Sequence, residues 1–197
     1  YWMPFACDPD IHKPVELTVE DENKYGCDVC FVGSGGDIYI QRREILESLT
    51  DFNPGIWGPG WESLPEKSPL KKFIRGGQTR PEEWVRIFSA SKIVFHSHYK
   101  DPSGKVPCFQ ASPRVYEALA CGAFFVCDNQ RDVLRLFINK EHLVVFNNMQ
   151  ELKEITDYYL KHPDEAKTIS EKGRKEAVGK HTYNHRIKEI LTRTMQS

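Results

Sequence analysis

The chain has 197 residues, of which 40% are hydrophobic and 28% are charged, and its formal net charge is −1. This length fits one domain with a single core, and the composition is that of an ordinary globular protein. A nearly balanced charge without a block of lysines and arginines gives no reason to expect a nucleic-acid partner. No apolar run approaches the roughly 20 residues that a membrane helix requires, so no transmembrane segment is predicted.

Residues 1–24 contain three prolines and many charged residues, which predicts an irregular lead-in or a connector between domains. From Tyr25 onwards strand-like and helix-like segments alternate along the chain. This alternation predicts an α/β domain over 25–197, a Rossmann-like parallel sheet with helices on both faces. The predicted strands cover about 28–32, 55–57, 70–74, 92–97, 123–127 and 142–146. The predicted helices include 40–49, 81–89, 131–137, 149–161, 163–180 and 183–195.

The chain has six cysteines, and Cys27 and Cys30 form a C-x-x-C pair that could be a redox centre or half of a zinc site. Both lie inside a predicted strand, whereas the redox motif sits at a helix start, and no second C-x-x-C completes a zinc site. We therefore predict reduced thiols that act as small hydrophobic side chains, and a cytoplasmic location.

The segment Ser112–Asp128 is the most informative part of the chain. Ser112 is a candidate N-cap, and Pro113 suits the first position of a helix. Gly122 ends that helix in the left-handed conformation, and the apolar strand that follows ends on the carboxylate of Asp128. The N–H groups and the positive dipole end of a helix N-terminus favour a phosphate. Glu117, one turn further in, could accept hydrogen bonds from the hydroxyls of a sugar.

Ligands of parallel sheets bind beyond the carboxyl ends of the strands, where the strand order reverses. The predicted loops at those ends cover 33–38, 58–61, 76–80, 98–114 and 128–131. The loop Gly33–Gly36 is similar to a dinucleotide-binding loop, but Ile38 occupies the position of the third glycine. The acidic residue expected at the end of the second strand is also missing. A Rossmann oxidoreductase is therefore the less favoured alternative.

The run Glu117-Ala118-Leu119-Ala120-Cys121-Gly122 resembles the EA(M/L)AxG motif of the GT-B glycosyltransferases. The resemblance is to the group-1-like branch that includes the spore-maturation glycosyltransferase-like proteins. It extends through Asp128-Asn129-Gln130 and to His181-Thr182-Tyr183. It implies that the chain is the C-terminal half of a GT-B fold and binds a nucleoside-diphosphate sugar. The implied reaction is glycosyl transfer to an acceptor hydroxyl, as in polysaccharide biosynthesis, with no cofactor and no catalytic metal.

The resemblance also implies a partner domain. In a GT-B enzyme the acceptor binds a second, N-terminal Rossmann-like domain, for which this chain has no room. The chain opens on Tyr1 rather than methionine and shows no signal segment, so we expect it to be part of a longer protein. The alternative is a nucleotide- or sugar-phosphate-binding module without catalytic activity.

Roles for individual residues follow from the resemblance. Glu117 would hold the ribose, and Arg114 with the helix start at Ser112 would hold the diphosphate. The loop with Gly33 and Ser34, followed by Arg42, would pass near the phosphates. Gly77 and Gln78 would lie against the nucleobase. No catalytic residue is assigned; His98 and Asp128 are the candidates for a catalytic role and for contact with the donor sugar.

Each of these roles has an alternative. Arg42 and Arg43 could lie on the solvated face of an ordinary helix, and the loop Gly76–Thr79 could be a tight turn. Arg114 could pair with Glu117 or Asp128 and only orient them.

The histidines have alternatives too. His96 and His98 stand two apart at a strand end and could titrate near neutrality or bind a metal, but no third ligand is evident. His181 and His185 have a metal-binding spacing, but Thr182 is a plausible N-cap that would place His181 outside the helix.

One residue departs from the family pattern. Many retaining group-1 enzymes carry a second glutamate eight positions before the ribose-binding one. Phe109 stands at that position here. Retaining stereochemistry is therefore not predicted for this chain.

Overall fold

The computed structural model describes residues 2–101 and 103–195. Six strands lie in this part of the chain: β1 (Cys27–Val32), β2 (Pro54–Trp57), β3 (Ile74–Gly76), β4 (Ser91–His96), β5 (Phe125–Asp128) and β6 (Val144–Phe146). The α-helices of the described residues are α1 (Val19–Tyr25), α2 (Ile40–Glu47), α3 (Pro81–Ala90), α4 (Pro113–Ala120), α5 (Arg131–Leu134), α6 (Met149–Lys161), α7 (Pro163–Lys180) and α8 (Tyr183–Met195). None of these helices is long and apolar enough to cross a bilayer.

The strands form one parallel sheet in the order β3-β2-β1-β4-β5-β6. The chain moves outward from β1 through β2 to β3, returns to the centre, and moves outward again from β4. The strand order therefore reverses between β1 and β4, the point at which Rossmann-like sheets bind their ligands. The predicted Rossmann-like fold is confirmed.

The sheet is buried on both faces, as expected for parallel strands joined by crossover helices. Cys30 and Val32 of β1 face a core that α3 and α4 cover. Val29 and Phe31 of the same strand face a second core with α2 and α6. The predicted inert role of the cysteines fits this arrangement, because all six are free and burial raises the pKa of the Cys30 thiol well above its usual value.

The third strand lies later in the chain than predicted. Pro69–Phe73 forms a 3₁₀ helix instead of a strand, and β3 begins only at Ile74. The Ser68 hydroxyl accepts a hydrogen bond from the N–H of Leu70, and Pro69 stands at the first helical position. These cap signals outweigh the strand-like apolar residues of the segment.

The prediction of irregular structure for residues 1–24 is wrong for its last part, where α1 begins at Val19. Thr18 and Asp21 form a capping box, each side chain bonding the backbone N–H of the other.

Two strands and a helix also differ from prediction at their ends. β5 is shifted to Phe125–Asp128, β6 starts at Val144, and α5 stops at Leu134.

The early part of the lead-in packs against the start of α8. The N–H of Cys7 donates to the carbonyl of His181 at 2.9 Å, and the N–H of Tyr183 donates to the carbonyl of Cys7 at 3.0 Å. The Thr182 hydroxyl accepts the N–H of His185, so Thr182 caps α8 as predicted and His181 stands outside the helix. Burial and the nearby Arg186 lower the pKa of His181 to about 4, which indicates a neutral structural imidazole.

Candidate functional site

The Arg42 side chain bridges the loops that follow β1 and β4, at the point where the strand order reverses. Its Nη1 donates to the carbonyl of Ser34 at 2.6 Å, and its Nη2 donates to the carbonyl of Ser97 at 2.8 Å. Ser34 lies in the loop after β1, and Ser97 directly follows β4. The guanidinium also stacks over the Tyr39 ring at 4.1 Å. Arg42 is 8% exposed, so the alternative that it lies on a solvated helix face is wrong.

The glycine loop after β1 packs against the loop after β2. The indole Nε1 of Trp61 donates to the carbonyl of Gly33 at 2.9 Å. A Cβ on Gly35 would lie 2.6 Å from the Trp61 ring, and a Cβ on Gly58 would lie 2.1 Å from the carbonyl oxygen of Gly33. Close loop packing therefore accounts for these glycines, and the phosphate contact predicted for Gly33 and Ser34 stays a prediction.

This packing allows a test with two glycines at neighbouring strand ends. We expect Gly58→Ala to destabilise the fold by about 3 kcal/mol, because the backbone is left-handed there (φ 136°) and the new Cβ meets backbone atoms. Gly77→Ala is the matched control, since no atom lies within 4 Å of its Cβ position and its φ is ordinary. Urea unfolding measures both variants, and equal stability of the two would contradict the packing argument.

Ser112 stands at the N-cap position of α4, but its side chain does not cap the helix. The hydroxyl instead lies 2.9 Å from Nε2 of the buried His96. The predicted side-chain cap is therefore wrong, since the nearby imidazole takes the place of the helix N–H groups as partner. Burial lowers the pKa of His96 well below its usual value, so this imidazole is neutral.

His98 and Asp128 form a buried pair, with side chains 0% and 2% exposed. The Asp128 Oδ1 accepts the backbone N–H of His98 at 2.8 Å and lies 2.9 Å from its Nδ1. A carboxylate can only accept, so Nδ1 carries the proton and Nε2 is left as an acceptor. Nε2 then accepts the backbone N–H of Ser112 at 3.4 Å.

Gln130 makes a second connection from Asp128 to the same segment. Its Nε2 donates to the Asp128 Oδ2 at 2.6 Å, and its Oε1 accepts the N–H of Gln110 at 3.3 Å. We call Asp128, His98 and Gln130 the Asp128 network. The network accepts the backbone N–H groups of Gln110 and Ser112, which lie in the segment that leads into α4. It thereby orients the start of that helix.

Burial by itself raises the pKa of Asp128, but the hydrogen bonds from His98 and Gln130 outweigh it and lower the pKa to about 2. The carboxylate is therefore charged throughout the physiological range. His98 and Asp128 are both buried, and their predicted contact with the donor sugar stays a prediction. Their geometry is that of groups that position a loop.

Glu117 and Arg114 pair one turn inside α4, with the Arg114 Nη1 2.9 Å from the Glu117 Oε2. The two side chains are 17% and 13% exposed, Arg114 being the first. The guanidinium lies over the Trp84 ring at 4.5 Å. The structure shows the pairing on which the orienting alternative rests, and the diphosphate contact predicted for Arg114 stays a prediction. A carboxylate held this way keeps lone pairs for further donors.

Two residues near Glu117 were missed from the sequence. Trp84 of α3 covers Arg114, and His12 of the lead-in stacks on Trp84 with ring centroids 6.3 Å apart. His12 accepts the N–H of Asp8 at its Nδ1 and is 7% exposed. The lead-in therefore packs beside the Glu117 pair. The helical spacing of Trp84 could have predicted its inward position, but no sequence signal indicated the contact with His12.

The two residues predicted at the nucleobase follow β3, which is an edge strand of the sheet. Gly77 and Gln78 are exposed in the loop between β3 and α3. Their role at the nucleobase and the alternative of a tight turn both stay predictions. Across the described residues, no three side chains of His, Cys, Asp or Glu come together to form a metal-binding group.

A parallel sheet whose strand order reverses between β1 and β4, with the start of α4 beyond β4, defines a Rossmann-like domain. The sequence model of the glycosyl transferase-like family matches residues 41–192. The chain therefore belongs to the glycosyl transferase-like family. A search of the curated proteins finds no match to this sequence.

Solved structures show the same fold at low sequence identity. Sucrose-phosphate synthase from Thermosynechococcus elongatus is 16% identical with a TM-score of 0.70, over 98% of this chain and 51% of that one. Anabaena Alr3699/HepE in complex with UDP-glucose is 14% identical with a TM-score of 0.71, over 98% and 56%. The C-terminal domain of a group 1 glycosyl transferase (LpcC) from Francisella tularensis is 13% identical with a TM-score of 0.66, over 90% and 100%.

The chain thus spans about half the length of the first two proteins and the full length of the isolated C-terminal domain. The predicted architecture, the C-terminal half of a GT-B fold, is confirmed. The chain is therefore a domain of the glycosyl transferase-like family that has the fold of the C-terminal half of a GT-B protein.

Proposed function

We propose that this chain binds the nucleoside-diphosphate sugar of a glycosyltransferase and presents it to an acceptor held by a second domain. The observation that carries the proposal is the position of α4, which starts at the reversal point with Glu117 one turn inside it. A nucleotide placed there meets helix N–H groups at its phosphates and a carboxylate at its ribose. A similar fold in Alr3699/HepE was solved in complexes with UDP and with UDP-glucose, which supports this assignment.

In the proposed reaction the bond between the anomeric carbon and the β-phosphate oxygen breaks, and its electrons stay on the diphosphate. The acceptor oxygen forms the new bond to that carbon and releases its proton. Groups that bind the growing negative charge of the diphosphate therefore favour the reaction, as electrostatic stabilisation does in many enzymes. The acceptor domain is not part of the chain, so binding of the donor is the activity that this chain supports alone.

Several finer assignments belong to the same proposal. We expect Gly77 and Gln78 at the base, and Gly33, Ser34 and the start of α4 at the phosphates. A cytoplasmic location is supported by six free cysteines, as a reducing compartment maintains them. A role in polysaccharide biosynthesis and the relation to the spore-maturation branch rest on the resemblance of the motif.

A thermal-shift series with UDP, GDP, ADP, CMP and NAD tests the proposal. A nucleotide at 100 times its dissociation constant adds about 2.7 kcal/mol to the free energy of unfolding. For a domain of this size the melting temperature then rises by roughly 5–10 °C. Protection by at least one nucleoside diphosphate supports the proposal. Protection by NAD alone would revive the oxidoreductase interpretation, and no protection by any nucleotide would contradict a donor-binding role.

A further inference from the structure

The two arginines to which the resemblance assigns the phosphates are already engaged within the protein. Arg42 donates through Nη1 and Nη2 to two backbone carbonyls, those of Ser34 and Ser97. Arg114 pairs with Glu117 at 2.9 Å and lies against an aromatic ring. A bound diphosphate carries at least two negative charges and requires cations that can reach it. Because Arg42 is 8% exposed and the Arg114 side chain 17%, we expect more exposed cations to share that charge.

A cleft of about 450 Å³ opens against the segment that leads into α4, within the roughly 300–1,000 Å³ usual for small-molecule sites. It lies beyond the carboxyl ends of β4 and β5, and the segment that leads into α4 forms one wall. Its lining includes Gln41, Lys100, Phe109, Asn129, Gln130 and Arg131. Gln130 belongs to the Asp128 network, so the cleft and the oriented loop share a residue.

Lys100 and Arg131 bring two positive charges to this cleft. The Arg131 guanidinium stacks on the Phe109 ring at 3.7 Å, and only its Nε contacts Asp132, at 3.4 Å. The Lys100 Nζ lies 4.0 Å from the Asp128 Oδ2. The two side chains are 48% exposed for Lys100 and 52% for Arg131. Both are held in place yet keep donors for a ligand, because a guanidinium has five and an ammonium has three.

One carboxylate, that of Asp101, also lines the cleft. Its oxygens accept the backbone N–H groups of Ser103, Lys105 and Val106 and the hydroxyl of Ser103. The carboxylate is therefore satisfied by its own loop and is partly neutralised by the N–H groups that surround it. The lining keeps a net positive charge.

We propose that this cleft holds the diphosphate of the donor, with Lys100 and Arg131 as the cations that bind it. The inference rests on the proposed function and names side chains for it that the family motif does not include. Phe109 gains a role as well, since its ring supports the Arg131 guanidinium. A flat guanidinium over an aromatic face is well suited to bidentate phosphate contacts.

The test compares each cation with a matched neighbour in this chain. Arg131→Gln is paired with Arg135→Gln, because Arg135 is on the end of the same helix, 54% exposed and also paired with Asp132, but does not line the cleft. Lys100→Gln is paired with Lys105→Gln in the same loop. Calorimetry measures the binding of UDP, GDP and ADP, of the corresponding nucleosides, and of inorganic pyrophosphate.

We expect Arg131→Gln and Lys100→Gln each to weaken binding of nucleoside diphosphate and of pyrophosphate about tenfold, and to leave nucleoside binding within twofold. Arg135→Gln and Lys105→Gln should change none of these affinities by more than twofold. Unchanged diphosphate binding in the first pair, or an equal loss in the control pair, would overturn the inference while the proposed function stands. If the unmodified chain binds none of the three nucleoside diphosphates, the proposed function fails and the inference falls with it.

Discussion

Replacing Glu117 with glutamine is expected to weaken the binding of a nucleoside diphosphate to this chain by about 10- to 100-fold. The range corresponds to the roughly 1.5–3 kcal/mol that a hydrogen bond to a charged group contributes. Glutamine keeps the shape of the side chain but replaces a carboxylate oxygen with a donor. The Arg114 guanidinium also loses its ion pair, so thermal unfolding must be measured on the same variant. Calorimetry with UDP, GDP and ADP gives the affinities.

Glu176→Gln is the matched control for this change. The Glu176 side chain is 17% exposed and also forms an ion pair within a helix, with Lys180 at 3.0 Å, but it lies on α7. A comparison with 2′-deoxy and 3′-deoxy nucleotides then isolates the ribose contact. Removing a ribose hydroxyl should weaken binding to the unmodified chain and have little further effect on Glu117→Gln, as two changes to one interaction are not additive. If the losses from Glu117→Gln and from removing the hydroxyl simply add, the Glu117 carboxylate does not bind the ribose.

Replacing Asp128 with alanine is expected to lower the free energy of unfolding by about 3–5 kcal/mol, the range seen when one partner of a buried charged network is removed. Three donors lose their acceptor, namely the backbone N–H and Nδ1 of His98 and the Nε2 of Gln130. The melting temperature should fall by roughly 10–15 °C. Asp157→Ala removes an exposed ion pair with Lys161 on α6 and should cost under about 0.5 kcal/mol.

Asp128→Asn should give an intermediate loss, for a geometric reason. One amide oxygen can still accept from His98, but the amide nitrogen would face the Nε2 of Gln130. Turning the Gln130 amide over repairs that contact and removes the acceptor for the N–H of Gln110. In both orientations of the Gln130 amide, one of its two hydrogen bonds is lost, and the segment that leads into α4 is held less firmly. We therefore expect weaker diphosphate binding even where Asp128→Asn remains folded.

The carboxylate of Asp128 also makes the stability of the unmodified chain depend on pH, in a direction that can be stated. The pKa of Asp128 is about 2 in the folded chain, below its usual 3.8. The stabilisation that comes from this shift is therefore present above pH 4 and is lost as the pH falls from about 4 to 2. Urea midpoints measured across this window should fall less steeply for Asp128→Asn than for the unmodified chain. Identical slopes would show that another group controls acid unfolding.

Much of the fold could be predicted from the sequence because its signals are local. Buried parallel strands appear as short apolar runs, and the glycine that ends α4 does adopt φ 75° at Gly122. The wrong predictions also concern local signals. In Pro69–Ile74 the same apolar residues suit a 3₁₀ turn or a strand, and the Ser-Pro cap decides between them. In α1 a capping box starts a helix inside a charged stretch that has no apolar period.

The site was harder to predict because its contacts join distant residues. The burial of Arg42 was within reach, since Arg42, Ile45, Leu46 and Leu49 have the spacing of one inward helix face. The contact of His12 with Trp84 had no such signal, as the two residues lie far apart in sequence. The partner of Ser112 was equally hidden, because an N-cap motif does not reveal an imidazole brought in by another strand.

The bonds between the lead-in and the start of α8 also have a mechanical consequence. The Arg186 side chain donates to the carbonyl of Pro4, 182 positions earlier, so this contact closes a loop around nearly the whole domain. Such a closure has a high entropic cost, and we expect it to form only after the sheet has brought both segments together. Cys7 and Thr182 pair in parallel, so tension applied from the two ends would load these bonds in shear rather than peel them one at a time.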